Sequence, residues 1–106
     1  LPDSANNEYK TDIYVAALGE QAQKIGFKLV CELRRAGIAA AMNYDNKSLK
    51  SQMKRADKLN SYYALILGDK EIASQCAELR NMQTKHQQTL PLYDLMGKII
   101  NIIRER

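Results

Sequence analysis

The feature that most constrains the fold is an alternation of short apolar runs with amphipathic segments. The run DIYVAAL, residues 12–18, is apolar and rich in β-forming residues, and YYALIL, residues 62–67, is the clearest strand in the sequence. Between them, helical periodicity covers about residues 20–36 and again about residues 48–59. Strands separated by helices pair in parallel through right-handed crossovers, so the first half of the chain predicts a parallel sheet.

Three further strands and one further helix complete the predicted order. A short strand over residues 38–44 lies between the two helices, and residues 76–82 and 87–91 form a strand pair joined by a turn. Apolar positions from Leu92 onward recur at helical spacing. We therefore expect an α/β fold with a mixed five-stranded sheet and three helices in total, distributed over both faces of the sheet. The last two strands should be antiparallel.

Length and composition indicate one ordinary globular domain. A chain of 106 residues with 45% hydrophobic and 26% charged residues suffices for a single core. We divide it into a polar, flexible linker, residues 1–10, and a domain, residues 11–106. No apolar run approaches the roughly 20 residues that cross a membrane, so we expect no membrane partner. Two isolated cysteines, Cys31 and Cys76, indicate reduced thiols in a cytoplasmic protein.

Positive charge is concentrated in one stretch, NKSLKSQMKRADK, residues 46–58. It holds five basic residues and one acid, a net charge of +4 that equals the excess of the whole chain. In a helix one stripe of this stretch would carry Lys47, Lys50, Lys54 and Lys58. The opposite, apolar side would carry Leu49, Met53, Ala56 and Leu59. The stripe is either a solvated helix face or a surface for phosphates, and charge alone does not separate nucleic acid from an acidic protein or a lipid headgroup.

No pattern in the sequence indicates catalysis. His86 is the only histidine and falls in a predicted turn, and no cysteine or histidine cluster has metal-ligand spacing. The five glycines form neither a P-loop nor a dinucleotide fingerprint, which argues against a flavodoxin-like cofactor binder. Asp69 and Glu71 follow a strand and could form an acid–base or metal pair, although they have no partner elsewhere. We expect no catalytic residue, no metal and no cofactor in this domain.

Longer segments resemble a known family. DIYVAALGEQAQ, LRRAGIAAAMNYDNKSLKSQMKRADKLNSYYALILGDKEIA and ELRNMQT are similar to the C-terminal anticodon-binding domain of class II aminoacyl-tRNA synthetases. That group includes the histidyl, threonyl, prolyl and glycyl enzymes. The stretch SLKSQMKRADKLNSYYALILGDKE looks most like a histidyl-tRNA synthetase. The resemblance runs from about Asp12 to the C-terminus.

The resemblance implies a fold, partners and a parent enzyme. It implies the class II anticodon-binding fold of five strands and three helices, which binds the anticodon stem-loop of a tRNA. The parent would be a cytoplasmic, homodimeric histidine–tRNA ligase, with ATP and Mg held by a separate catalytic domain of the same polypeptide. This domain alone would be non-catalytic. The alternative is a synthetase-like regulatory or dimerisation module that does not read tRNA bases.

The resemblance also implies a set of RNA-binding residues. Three polar positions that contact anticodon bases in threonyl relatives correspond by unbroken spacing to Asn46, Glu71 and Arg80. An amide can donate and accept at a base edge, a carboxylate can accept from an unpaired guanine, and a guanidinium can reach base acceptors or phosphate. The implied phosphate contacts are Lys47, Lys50 and Lys54. The structural alternatives are that Asn46 shapes a turn, Glu71 caps the next segment and Arg80 is a solvated strand residue.

Three further positions bear on this site. Tyr44 could stack on a base or pack at the rim of the sheet. Gln75 stands where relatives usually have glycine, and the turn QTKHQ, residues 83–87, also lacks the usual glycine. A shifted loop at either turn would displace Arg80.

Overall fold

The computed structural model describes residues 10–45 and 47–106. The predicted linker, apart from Lys10, and the predicted base-contacting residue Asn46 lie outside the described residues. The strands are β1 (Thr11–Ala17), β2 (Ala40–Met42), β3 (Ser61–Leu67), β4 (Cys76–Asn81) and β5 (Gln87–Pro91). The helices are α1 (Glu20–Arg35), α2 (Leu49–Lys58), α3 (Asp69–Ala73) and α4 (Leu95–Glu105). In the described part of the chain, no helix combines the length and apolarity that a membrane crossing requires.

The five strands form one mixed sheet in the order β2-β1-β3-β4-β5. Strand β1 pairs in parallel with β2 and β3, whereas β4 is antiparallel to both β3 and β5. The predicted mixed sheet and its antiparallel final pair are therefore confirmed.

Helices cover both faces of the sheet, as expected. On one face α1 and α4 pack over the larger core, to which β1 contributes Ile13, Val15 and Ala17. On the other face α2 lies on β1 and β3 over a small cluster, to which β1 contributes Tyr14 and Ala16. This alternation follows the two-residue period of a strand, so β1 is buried on both sides.

The structure corrects the predicted number of helices from three to four. The additional helix is α3, where the sequence pattern predicts only a break after β3 at Gly68 and Asp69. Its five residues are too few to display a helical period in the sequence. The last helix begins at Leu95 rather than Leu92, because Asp94 adopts a left-handed conformation with φ of 52° just before it.

The predicted apolar side of α2 is also corrected. Leu49, expected beneath the helix, is 39% exposed at its first position. Gln52, which the sequence pattern did not assign to the interior, is fully buried together with Ala56. Met53 and Leu59 are half-buried and pack on the small cluster as expected.

The two turns that lack the usual glycine keep a left-handed backbone. Gln75 has φ of 56° and Lys85 has φ of 68°. Such a conformation costs a residue with a Cβ about 1–2 kcal/mol. The ladder between β3 and β4 nevertheless runs without interruption from Ile66 to Tyr63, so Arg80 keeps a fixed place opposite Ala64.

Substitution of Gln75 by glycine should stabilise the fold. Relief of the left-handed strain outweighs the roughly 0.5–1 kcal/mol by which glycine favours the unfolded chain, so the free energy of unfolding should rise by about 0.5–1 kcal/mol. Urea unfolding measures this change. Ser74→Gly is the matched control, because Ser74 has φ of −90° and the same substitution should there be destabilising. A Gln75→Gly variant that is less stable than the parent would contradict the prediction.

Candidate nucleic-acid interface

The basic stripe, which consists of Lys50, Lys54 and Lys58 on α2 and Lys47 in the loop before it, is exposed along its whole length. Ser48 caps the helix, since its Oγ accepts a hydrogen bond from the Ser51 amide at 3.2 Å. Among the described residues, the two ion pairs of the structure lie elsewhere and join Lys24 to Glu20 and Arg106 to Asp12. The four ammonium groups of the stripe therefore remain available to an external anion.

Gln52 fixes the N-terminal end of α2 against the sheet. Its Nε2 donates to the carbonyl oxygen of Ala17 at 2.9 Å and to that of Lys47 at 3.0 Å. One amide thus joins the C-terminal end of β1 to the loop that precedes α2. The sequence could have indicated the burial of Gln52, because Gln52 is four residues before the apolar Ala56 and both therefore lie on one side of a helix.

Glu71 lies beside a groove at the C-terminal ends of β1 and β3. The groove has a volume of about 480 Å³ and is lined by Leu18, Gly19, Leu49, Ile66, Gly68, Asp69, Lys70 and Glu71. The Oε1 atom of Glu71 accepts a hydrogen bond from the Gly68 amide at 2.8 Å, which caps α3. A Cβ atom at position 68 would come within 2.9 Å of that oxygen, so a larger residue there would shift the end of the Glu71 side chain. The capping role foreseen as an alternative is therefore present.

Arg80 lies outside this groove but on an adjoining part of the same sheet face. It pairs with Ala64, while Glu78 pairs with Ile66, so Ile66 is its diagonal neighbour across β3 and β4. The Nε atom of Arg80 is buried without a hydrogen-bond partner among the described residues. Because α2 packs on β1 and β3, the β4–β5 side of this face stays open.

Polar side chains of β4 and β5 occupy that open face. Glu78 accepts a hydrogen bond from the hydroxyl of Thr89 at 2.7 Å and a longer one from Gln87 at 3.5 Å. Gln87 is opposite Arg80 on β5. These residues give a mixed donor and acceptor surface next to the apolar groove. Sequence reasoning identified Arg80 here but not its neighbours, because their common face depends on strand register.

The loop that contains Asn46 is held on both sides of that position. The carbonyl oxygen of Asp45 accepts hydrogen bonds from Gln23 Nε2 at 3.1 Å and from the Lys47 amide at 2.9 Å. The loop is thereby tied to α1 before Asn46 and to Gln52 after it.

Comparison of the sequence with known proteins agrees with the fold and the surface described above. A family model described as an anticodon binding domain matches residues 12–102. The chain belongs to this family. The anticodon-binding domain is 45% identical over 94 residues to a histidine–tRNA ligase of Desulfosudis oleivorans, covering 89% of this chain and 22% of that protein. It is 48% identical over 83 residues to one of Geobacter sulfurreducens, covering 78% and 20%.

Solved structures give the same assignment. The apo histidyl-tRNA synthetase of S. aureus superposes with a TM-score of 0.79 at 32% identity, covering 87% of this chain and 27% of that one. The RNA-binding domain of threonyl-tRNA synthetase from Cryptosporidium parvum shares the fold, with a TM-score of 0.72 at 22% identity. The resemblance inferred from the sequence is confirmed. The chain spans about a fifth of the length of the curated relatives it matches.

Two tyrosines of the domain have raised pKa values. Burial raises the pKa of Tyr14 above 10.0, against the opposing effects of the nearby Arg55 guanidinium and the Asn43 backbone. Burial is the largest cause that raises the pKa of Tyr63, and the neighbouring Tyr62 raises it further. Arg106 lowers this pKa.

The domain carries binding chemistry at this surface. Lysine ammonium groups, the Arg80 guanidinium and the Glu71 carboxylate offer charge and hydrogen bonds to a polyanion with exposed polar edges. Within the described residues, no group of three or more histidine, cysteine, aspartate or glutamate side chains is placed to hold a metal ion. Cys31 and Cys76 are free and half-buried.

Substitution of Gln52 by methionine should destabilise the domain. Methionine keeps the length and helix propensity but leaves the Ala17 and Lys47 carbonyl oxygens without their donor, so we expect a loss of about 2 kcal/mol. Thermal or urea unfolding measures it. The control is Ser51→Ala, which changes an exposed neighbour and should leave stability unchanged. An equally stable Gln52→Met variant would show that the amide is dispensable.

Proposed function

We propose that this domain binds the anticodon stem-loop of histidine tRNA as part of a histidine–tRNA ligase. The observation that carries the proposal is the family match over residues 12–102 together with 45% and 48% identity to curated histidine–tRNA ligases. The parent enzyme would be a cytoplasmic homodimer whose separate catalytic domain binds ATP and Mg. This domain would contribute recognition of the tRNA and no bond-making step.

The basic stripe supplies the sequence-independent part of binding. Lys47 lies in the loop before α2, Lys50 and Lys54 lie on the helix, and all three are exposed and unpaired within the described structure. Each lysine that neutralises a phosphate releases condensed counterions, which favours association and makes it depend on salt. Flexible ammonium groups suit this role because they need no fixed geometry.

The groove and the adjoining strand face supply base recognition. In a single-stranded loop the bases are splayed and their polar edges are accessible. One carboxylate oxygen of Glu71 is used by the Gly68 amide, so its second oxygen is the natural acceptor for a guanine. Arg80 is half-buried on the same face and offers the exposed part of its guanidinium, while its Nε is buried, and Asn46 completes the proposed set. Leu49 and Ile66 give the groove apolar walls for a base.

The proposal is tested by the affinity of the domain for short RNA hairpins. Fluorescence anisotropy should show tighter binding to the histidine anticodon stem-loop than to hairpins that differ only in the anticodon. Equal affinity for all of these hairpins would contradict base reading and favour a module that lacks it.

Removal of two lysines should weaken the salt dependence of binding. If Lys50 and Lys54 each contact one phosphate, the double alanine variant should reduce the slope of log affinity against log salt by about 1.4–1.8. The control is Lys98→Ala with Arg104→Ala, which removes the same charge from α4 on the opposite face of the sheet. An unchanged slope in the α2 variant would make the stripe a solvated helix face.

Two substitutions separate the capping role of Glu71 from base recognition. Glu71→Gln can keep the bond to Gly68 through its amide oxygen, but it then presents an NH₂ donor to a guanine that also donates. We expect unchanged stability and lost anticodon discrimination. Glu71→Ala should lose the discrimination and also about 1 kcal/mol of stability. If Glu71→Gln discriminates like the parent, Glu71 acts only as a cap.

A further inference from the structure

Two exposed aromatic side chains form a pair at one edge of the domain. Phe27 of α1 is 51% exposed and Tyr44, which follows β2, is 56% exposed. Their ring centroids are 5.9 Å apart and their planes meet at 68°, an edge-to-face arrangement. Neither ring belongs to the core on either face of the sheet. Their apolar surface therefore faces solvent without contributing to the interior.

The pair is mounted on a rigid support. At Gly26, beside Phe27, α1 approaches the sheet so closely that a Cβ would lie 3.1 Å from Val15 and 3.4 Å from Met42. Tyr44 is followed by Asp45, whose carbonyl accepts from Gln23 of the same helix at 3.1 Å. Close packing at Gly26 and the bond between Gln23 and Asp45 thus hold the backbone at Phe27 near the backbone at Tyr44.

The pair lies at the same edge of the sheet as the Glu71 groove. Strands β2, β1 and β3 are parallel neighbours, and Tyr44 and Glu71 follow the C-terminal ends of β2 and β3. Two strand spacings and a two-residue stagger, since Met42 pairs with Val15 and Leu67 with Ala17, separate those ends by about 12 Å. Leu18 and Gly19, at the end of β1 between them, line the groove. A single-stranded loop bound at Glu71 therefore passes within reach of the aromatic pair.

The charged groups around the pair are of both signs. Lys24 and Lys28 flank Phe27 on α1, and Lys47 follows Tyr44 in the loop. The acids nearby are Glu20, which is 3.8 Å from the Lys24 ammonium in an exposed pair, Glu32, one turn after Lys28, and Asp45. The three lysines are the groups that would meet an RNA phosphate beside the rings.

We propose that Phe27 and Tyr44 form a stacking platform for one unpaired base of the RNA loop, separate from the base read at Glu71. An exposed ring offers its face to any base, and the second ring holds it in position. The platform would add affinity without selecting among bases, because every base has a stacking face. This inference rests on the proposed function and extends its binding surface to the β2 edge.

Alanine substitution of each ring tests the platform on the whole chain. Tyr44→Ala and Phe27→Ala should each weaken binding of the histidine anticodon stem-loop by about 5- to 150-fold, whereas Tyr44→Phe should bind like the parent. Tyr93→Ala is the matched control, because Tyr93 is 84% exposed with Lys98 5.4 Å from its ring, and its loss should not change the affinity. Far-ultraviolet circular dichroism verifies that each variant is folded.

A fluorescent adenine analogue, placed at one loop position at a time, locates the stacked base. Stacking quenches the analogue, so one position should be quenched by the parent chain and by Tyr44→Phe but not by Tyr44→Ala. The ratio of affinities for histidine and altered anticodons should be the same in Tyr44→Ala and the parent. If the parent chain discriminates between anticodons, and Tyr44→Ala binds the RNA and quenches the analogue as the parent does, the platform is refuted and the proposed function stands. A parent that does not discriminate refutes the proposed function.

Discussion

Burial of β1 on both faces is the constraint on which the rest of the structure depends. The strand pairs with β2 on one side and β3 on the other, and its alternate residues enter two separate cores. Both crossover helices must therefore dock on it, α1 on one face and α2 on the other. The carbonyl oxygen of Ala17 at its end is also the anchor for Gln52, so the position of the basic stripe is set by the strand itself.

The proposed RNA-binding surface is assembled where the parallel strands end. Three segments leave the sheet at this end: the loop that contains Asn46, the Leu18–Gly19 turn and α3 with Glu71. Hydrogen bonds to backbone groups hold them, through Gln23 and Gln52 for the first and through Glu71 for the last. Rigid loops reduce the conformational entropy that binding would otherwise cost, which favours recognition of a flexible single strand.

Glu71 combines a structural role with the proposed recognition role. Its cap on Gly68 begins α3, and the same side chain lines the groove. Arg80 reaches this surface from a different strand, and its place depends on the register of β4 rather than on a loop. Contacts from α2, α3 and β4 would thus converge on an RNA loop from three directions.

The amino-acid sequence by itself determined the element order, the mixed sheet and the outward basic stripe, because strand and helix periods and the spacing of Lys50 and Lys54 are local properties. The family followed from motifs such as SLKSQMKRADKLNSYYALILGDKE. The sequence pattern missed α3, whose five residues are too few to show the helical period repeating. It also did not place Gln52 in the interior, since the environment of a polar side chain depends on what packs over it. The cap of Glu71 on Gly68 joins residues only three apart, and the sequence already offered it as an alternative. Tertiary structure alone decided that Arg80 adjoins the groove and that Phe27 meets Tyr44. Both depend on chain segments distant in sequence, which only the packing of helices on the sheet brings together.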